Sequence, residues 1–232
     1  MTTRKAKAAL IYRLFCLLIS VGGIVLHLLA DHRIQTGFMV RHKLAYFTIQ
    51  TNIMAALLFA VLLFRSIKDF RKEGKWIVST VSPGLYGALT FYITMTMLGF
   101  WGLLAPTTGI PSDSFLLMNT LILHLVTPLL TLADFLLFFP HGHLHPRHAA
   151  LWLSYPAGYL FLVMLYSRFI QEPYYSFQIQ GRTIDLMYPY PFLDKELLGV
   201  TGVMIAVIVI TAVFYAIARL FVFTDRKISE IK

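Results

Sequence analysis

Within Leu44–Asn52, LAYFTIQTN, two hydroxyls (Thr48, Thr51) and two amides (Gln50, Asn52) fall within five positions. The run that follows, IMAALLFAVLLF, carries no polar side chain. At 100° per residue Thr48, Thr51 and Asn52 share one helical face, and Gln50 points elsewhere. A second polar group stands in MNTLILHLVTPLL, where His124 has Asn119, Thr120 and Thr127 near it and Pro128 four residues on. A hydroxyl beside an imidazole is a nucleophile with its base. The imidazole would take the hydroxyl proton while the oxygen attacks an ester carbonyl. The Asn52 amide offers a donor to the oxyanion that forms, a role worth roughly 3 kcal/mol.

The same residues have plainer uses. Threonine hydroxyls in membrane helices bond back to a carbonyl one turn earlier, and asparagine joins helices. Pro128 has no N–H, so the His124 carbonyl loses its helical donor and a kink is expected there. A freed carbonyl in a membrane is tolerated only where protein or water satisfies it. The residues alone leave three readings open. One is a hydrolase of lipid esters. Another is a non-catalytic transporter or scaffold whose polar positions form a packing seam. The third is a haem protein with His27 and His124 as axial ligands.

Other polar groups are assigned structural work. Asp134 is expected to pair with an arginine near the same membrane face. The segment HGHLHPRH holds His141, His143, His145 and His148 with no Cys, Asp or Glu beside them. It is read as a basic loop, with no metal and no cofactor expected. Cys16 is the single cysteine, which excludes a disulfide framework.

The elements that must position these groups follow from composition. The chain has 232 residues, 58% hydrophobic and 13% charged, with a mean hydropathy of +0.71. Soluble domains are nearer a quarter charged. The class is therefore an all-α membrane protein, a single domain of six transmembrane helices. The apolar runs predict spans over 8–30, 44–64, 77–104, 115–139, 149–170 and 197–223. The net charge of +9 lies between these runs, as membrane topology requires, and no nucleic-acid partner is implied.

With the N-terminus inside, Arg4, Lys5, Lys7, Arg65, Lys68, Arg71, Lys72, Lys75, Arg147, Arg226, Lys227 and Lys232 fall on the inner side. The outer side holds Arg33, Arg41, Lys43, Arg182 and Lys195. The bias puts both termini in the cytoplasm. Arg13, Arg168 and Arg219 lie near span ends and are expected to snorkel. Thr48 and His124 then share the outer half of the membrane. The long outer connection 171–196, YYSFQIQGRTIDLMYPYPFLD at its centre, is expected to lie over the mouth of the bundle. Tyr190 and Phe192 would give aromatic wall to an acyl-chain site.

Four pieces in order, YFTIQTN at 46–52, HLVTPLL with DFLLF over 124–138, WLSYPAGY at 152–159 and YPYPFLD at 188–194, make the chain similar to a family. It resembles the androgen-induced and androgen-dependent (FAR-17a-like) membrane proteins, especially their bacterial relatives, over nearly its whole length. The resemblance implies a six-helix threonine hydrolase that cleaves fatty acid esters of hydroxy fatty acids. It puts the catalytic threonine on Thr48 and the catalytic histidine on His124. Thr51, Asn52, Asn119, Tyr190 and Phe192 are assigned to substrate binding. Eukaryotic members carry an acidic residue where Thr51 stands, and their histidine-to-proline spacing is longer by one. The partners implied are a lipid ester and membrane lipids, in the cell membrane of a bacterium, with the oligomeric state left open. A reporter fused after Lys232 is expected on the cytoplasmic face, which protease protection in intact cells checks.

Overall fold

The structure, a computed structural model, describes residues 3–34, 43–169, 173–179 and 182–231. Six helices are long and apolar enough to cross a membrane, as the six runs predict. The chain is a multi-pass, all-α transmembrane bundle. Helix α1 covers Thr3–Ile34 and α2 covers Phe47–Glu73. Helix α3 runs over Pro83–Gly99 and continues through a π turn, Phe100–Leu104, to a last turn at Ala105–Thr108. Helix α4 consists of Ser114–Leu121 and Thr127–Phe138 joined by a second π turn, Ile122–Val126. Helix α5 is Pro146–Leu151 followed by Ser154–Tyr166, and α6 is Lys195–Ile231. Six spans return the chain to the side it left, so both termini share one end of the bundle. Arg41 and Lys232, which enter the charge bias, lie outside the described residues.

The boundaries depart from the expected ones for local reasons. Residues 77–82 are not helical, because proline disfavours helical backbone before it and serves well as the first helical residue. The carbonyls this frees are used: Ser79 accepts from Arg13 (2.8 Å) and Thr80 from Arg65 (2.7 Å). The connection before α6 contains a short antiparallel hairpin, β1 (Tyr175–Ile179) and β2 (Arg182–Leu186), paired from Tyr175–Leu186 to Ile179–Arg182. A single 3₁₀ turn, Pro191–Leu193, then leads into α6. Inside α6 the backbone breaks at Gly199 (φ 67°, ψ 165°), a conformation that L side chains rarely adopt.

The half of the bundle nearer the termini is tied by charge. Arg13 does not snorkel. This residue lies about 15 Å along α1 from Thr3, and it is fully buried. Its Nε meets Asp134 Oδ1 at 3.0 Å. Tyr86 donates its hydroxyl to the other Asp134 oxygen and stands 3.5 Å from Arg13 Nη2. Asp134 therefore has the arginine partner the sequence leads one to expect. The pair, with Tyr86, joins α1, α3 and α4. Below it, Asp225 of α6 accepts from the backbone N–H of Gly142 (3.0 Å) and Leu144 (2.8 Å) and meets His141 Nδ1 at 3.1 Å. His148 Nδ1 accepts from the His145 N–H at 3.1 Å. Phe91 and Trp152 stack (5.6 Å, 25°) and meet Phe221 edge-on. This aromatic core fills the space between α3, α5 and α6.

A buried ion pair broken on one side leaves an uncompensated charge, at a cost of about 3–5 kcal/mol. Arg13→Leu should therefore lower the thermal midpoint in detergent sharply. Arg13→Leu with Asp134→Leu should recover most of the loss, because both charges leave together.

Candidate functional site

Most hydroxyls in these helices follow the plain pattern. Ser20 donates to the Cys16 carbonyl, Ser66 to Leu62, Thr90 to Tyr86, Thr94 to Thr90 and Thr131 to Thr127, each one turn back at 2.8–3.0 Å. Thr48 differs. It is the second residue of α2, so no helical turn precedes it. Its Oγ1 lies 3.3 Å from His124 Nε2 on α4. His124 Nδ1 is 3.0 Å from the Thr120 carbonyl oxygen. A carbonyl only accepts, so Nδ1 carries the proton and Nε2 presents its lone pair to the Thr48 hydroxyl. The imidazole is in the tautomer and orientation of a general base.

Three local features set that orientation. Pro128 cannot bond the His124 carbonyl, and the backbone answers with the π turn Ile122–Val126, where Thr127 N–H reaches the Ile122 carbonyl. The freed His124 carbonyl is taken by Trp101 Nε1 of α3 at 3.0 Å. Phe100 stacks on the imidazole at 3.9 Å between centroids. Helix α1 closes in behind: a Cβ on Gly23 would meet Ile122 Cγ2 at 2.5 Å, so only glycine fits there.

Thr48 is the second residue of its helix, whereas His124 is ten residues beyond Ser114 of α4. Their contact places the start of α2 roughly 14 Å deeper along the bundle than the start of α4. Buried Lys43, whose Nζ meets the His27 carbonyl at 2.5 Å, belongs to the same recessed connection.

The polar neighbours divide into two groups. Thr51 and Asn52 are fully buried behind Thr48. Thr51 Oγ1 donates to the Thr48 carbonyl (3.0 Å) and lies 2.7 Å from Thr96 Oγ1. The Asn52 amide donates to the Thr48 carbonyl (2.8 Å) and the Leu123 carbonyl (3.1 Å), tying α2 to the π turn of α4. Both its protons are spent on carbonyls, so neither faces an oxyanion. Asn119 donates to the Gly23 carbonyl (2.8 Å), and its Oδ1 meets His27 Nδ1 at 3.2 Å. It belongs to the α1–α4 seam. None of these three, expected to bind substrate, is on the wall of the cavity that Thr48 lines; Thr51 and Asn52 instead hold the first turn of α2, and Asn119 joins α1 to α4.

Thr48 is on the wall of a cavity of about 620 Å³ with Tyr190, Phe192, Phe100, Thr96 and Tyr159. The rest of the lining, from α3, α5 and α6, is almost wholly apolar. Tyr190 and Phe192 stack face to face at 5.3 Å, so the two aromatic residues picked out in the sequence meet Thr48 at one space. Tyr190 is buried, and the electrostatic influence of Thr48, Phe47 and Tyr159 on its hydroxyl places them around it. Burial pushes its pKa above the ordinary 10, so it remains a donor at neutral pH. The oxyanion donor assigned to Asn52 is thus available from Tyr190. Its hydroxyl role was not read from the sequence, which gives YPYPFLD as aromatic wall. A more open groove of about 770 Å³ beside α5, lined by Leu44, Tyr155 and Tyr166 among others, does not include Thr48.

Comparison with family models, curated proteins and solved structures returns no match for this chain.

Trp101 was not singled out by its sequence context, because its partner is a carbonyl freed 27 positions later by Pro128. Trp101→Phe keeps the ring and removes the donor. The His124 carbonyl is then unsatisfied at membrane depth, which should cost about 1–3 kcal/mol, read as a lowered melting temperature in detergent.

Proposed function

We propose that this protein is an intramembrane hydrolase of lipid esters, with Thr48 as nucleophile and His124 as base. The observation that carries the reading is the 3.3 Å approach of Thr48 Oγ1 to His124 Nε2, with Thr48 on the wall of a large apolar cavity. A packing threonine has no need of an oriented imidazole. The resemblance of the four sequence pieces to the FAR-17a-like threonine hydrolases points the same way, with a fatty acid ester of a hydroxy fatty acid as substrate.

In the proposed reaction Thr48 Oγ1 adds to the ester carbonyl carbon and its proton passes to His124 Nε2. The carbonyl oxygen becomes an oxyanion, which the Tyr190 hydroxyl stabilises; such a donor is worth most in a water-poor site. The intermediate collapses, the alcohol leaves with the proton from His124, and an acyl-threonine remains. Water, deprotonated by the same nitrogen, releases the fatty acid. The base is oriented by the Thr120 carbonyl where a triad would use a carboxylate. On the charge bias both termini are cytoplasmic and the site belongs to the outer half of the cell membrane.

Residues that act as one unit are non-additive. Thr48→Ala and His124→Ala should each lower hydrolysis of a long-chain ester in detergent by roughly a thousandfold or more. The double variant should be no worse than either, and Thr48→Ser should keep measurable turnover. Tyr190→Phe should lower kcat by about a hundredfold, with KM little changed. Full activity in Thr48→Ala would overturn the assignment.

A further inference from the structure

The cavity beside Thr48 is not closed on all sides by protein. Its lining includes residues on the outer surface of the bundle, among them Leu98 (44% exposed) and Leu103 (39%) on α3 and Val209 (53%), Thr211 and Val213 (49%) on α6. Between Val203 and Ala218, α6 has no buried residue, and neither does α3 among the described side chains beyond Thr96. The two helices therefore flank a gap at membrane depth. Gly99 and Gly102 line it, and a Cβ on either would meet nothing within 4 Å. Those glycines serve no tight helix contact. They leave width.

The chemistry of the rim identifies what passes through the gap. Apart from the hydroxyl of Thr211 its side chains are apolar, leucine and valine foremost, and it opens sideways from a spanning helix pair, where hydrocarbon and not water is the solvent. A water-filled mouth at that depth would carry several polar groups. The groove is continuous with the wall that holds Thr48, Tyr190 and Phe192. Phe214 and Ile217 of α6 extend the apolar lining.

We infer that the gap between α3 and α6 is a lateral portal, through which the acyl chain of a membrane lipid lies across Gly99 and Gly102 to bring its ester to Thr48. The portal deepens the hydrolase reading and rests on it for the chemistry alone. Substrate then comes from the bilayer without crossing water, and the room at the two glycines sets how much chain is accommodated.

The test uses purified protein in phosphatidylcholine vesicles containing a phosphatidylcholine with a diazirine on its acyl chain. Photolysis should place adducts on 98–104 of α3 and 207–217 of α6 well above the outward residues Ile11 and Leu14 of α1. Gly102→Trp, or Val209→Trp as a second variant, should cut those adducts roughly tenfold. The same variants should slow hydrolysis of a long-chain ester by roughly tenfold or more and slow p-nitrophenyl acetate turnover several-fold less. Adducts spread evenly over all outward helix faces would overturn the portal, as would equal loss on long and short esters. Wild-type protein that hydrolyses neither ester would sink the hydrolase reading, and the adduct map then decides the portal by itself.

Discussion

The constraint on which the site depends is one missing hydrogen bond. Pro128 has no N–H to give the His124 carbonyl, and in a membrane no water is at hand to replace it. The chain meets this with two devices at once. Helix α4 widens into a π turn over Ile122–Val126, and Trp101 reaches across from α3 to donate to the carbonyl. The widened turn lets the Leu123 carbonyl receive Asn52. Asn52 in turn holds the Thr48 carbonyl. The distance between Thr48 and His124 is thus fixed by side-chain hydrogen bonds to the backbone on both sides, with Phe100 stacked on the ring.

The bundle divides its work by depth. Toward the termini, Arg13, Asp134 and Tyr86 join three helices through fully buried groups, and Asp225 fastens the α4–α5 connection to α6. That half is densely paired. Toward the other end α6 has few buried residues, α3 contains its own π turn, and Tyr190 and Phe192 line the cavity. The paired half holds the helices together, and the sparsely buried half leaves the cavity beside Thr48.

Much of this was legible in the sequence, because membrane burial makes polar residues conspicuous. Six apolar runs gave six spans. A threonine at the start of a run and a histidine ahead of a proline gave the pair the structure brings together, and Asp134 has its arginine. Errors arose where a partner was distant or a helix end misplaced. Arg13 looked terminal only because the apolar run begins at residue 8, whereas α1 already includes Thr3. Asn52 looked free to meet an oxyanion because nothing local reveals that two carbonyls from different helices claim its amide. Asn119 looked close to His124 in sequence, yet the helix turns it toward Gly23 and His27. The start of the third span was set too early because hydropathy does not register that Pro83 ends the extended segment before it.

The central claim is that Thr48 is a hydroxyl activated by His124, and the most direct measurement is to find where an electrophile lands. Purified protein in detergent would be treated with a fluorophosphonate and the modified residue located by peptide mass spectrometry. The account predicts a single adduct on Thr48 that is absent from His124→Ala. An adduct on another hydroxyl, or Thr48 labelling that survives loss of His124, would contradict it.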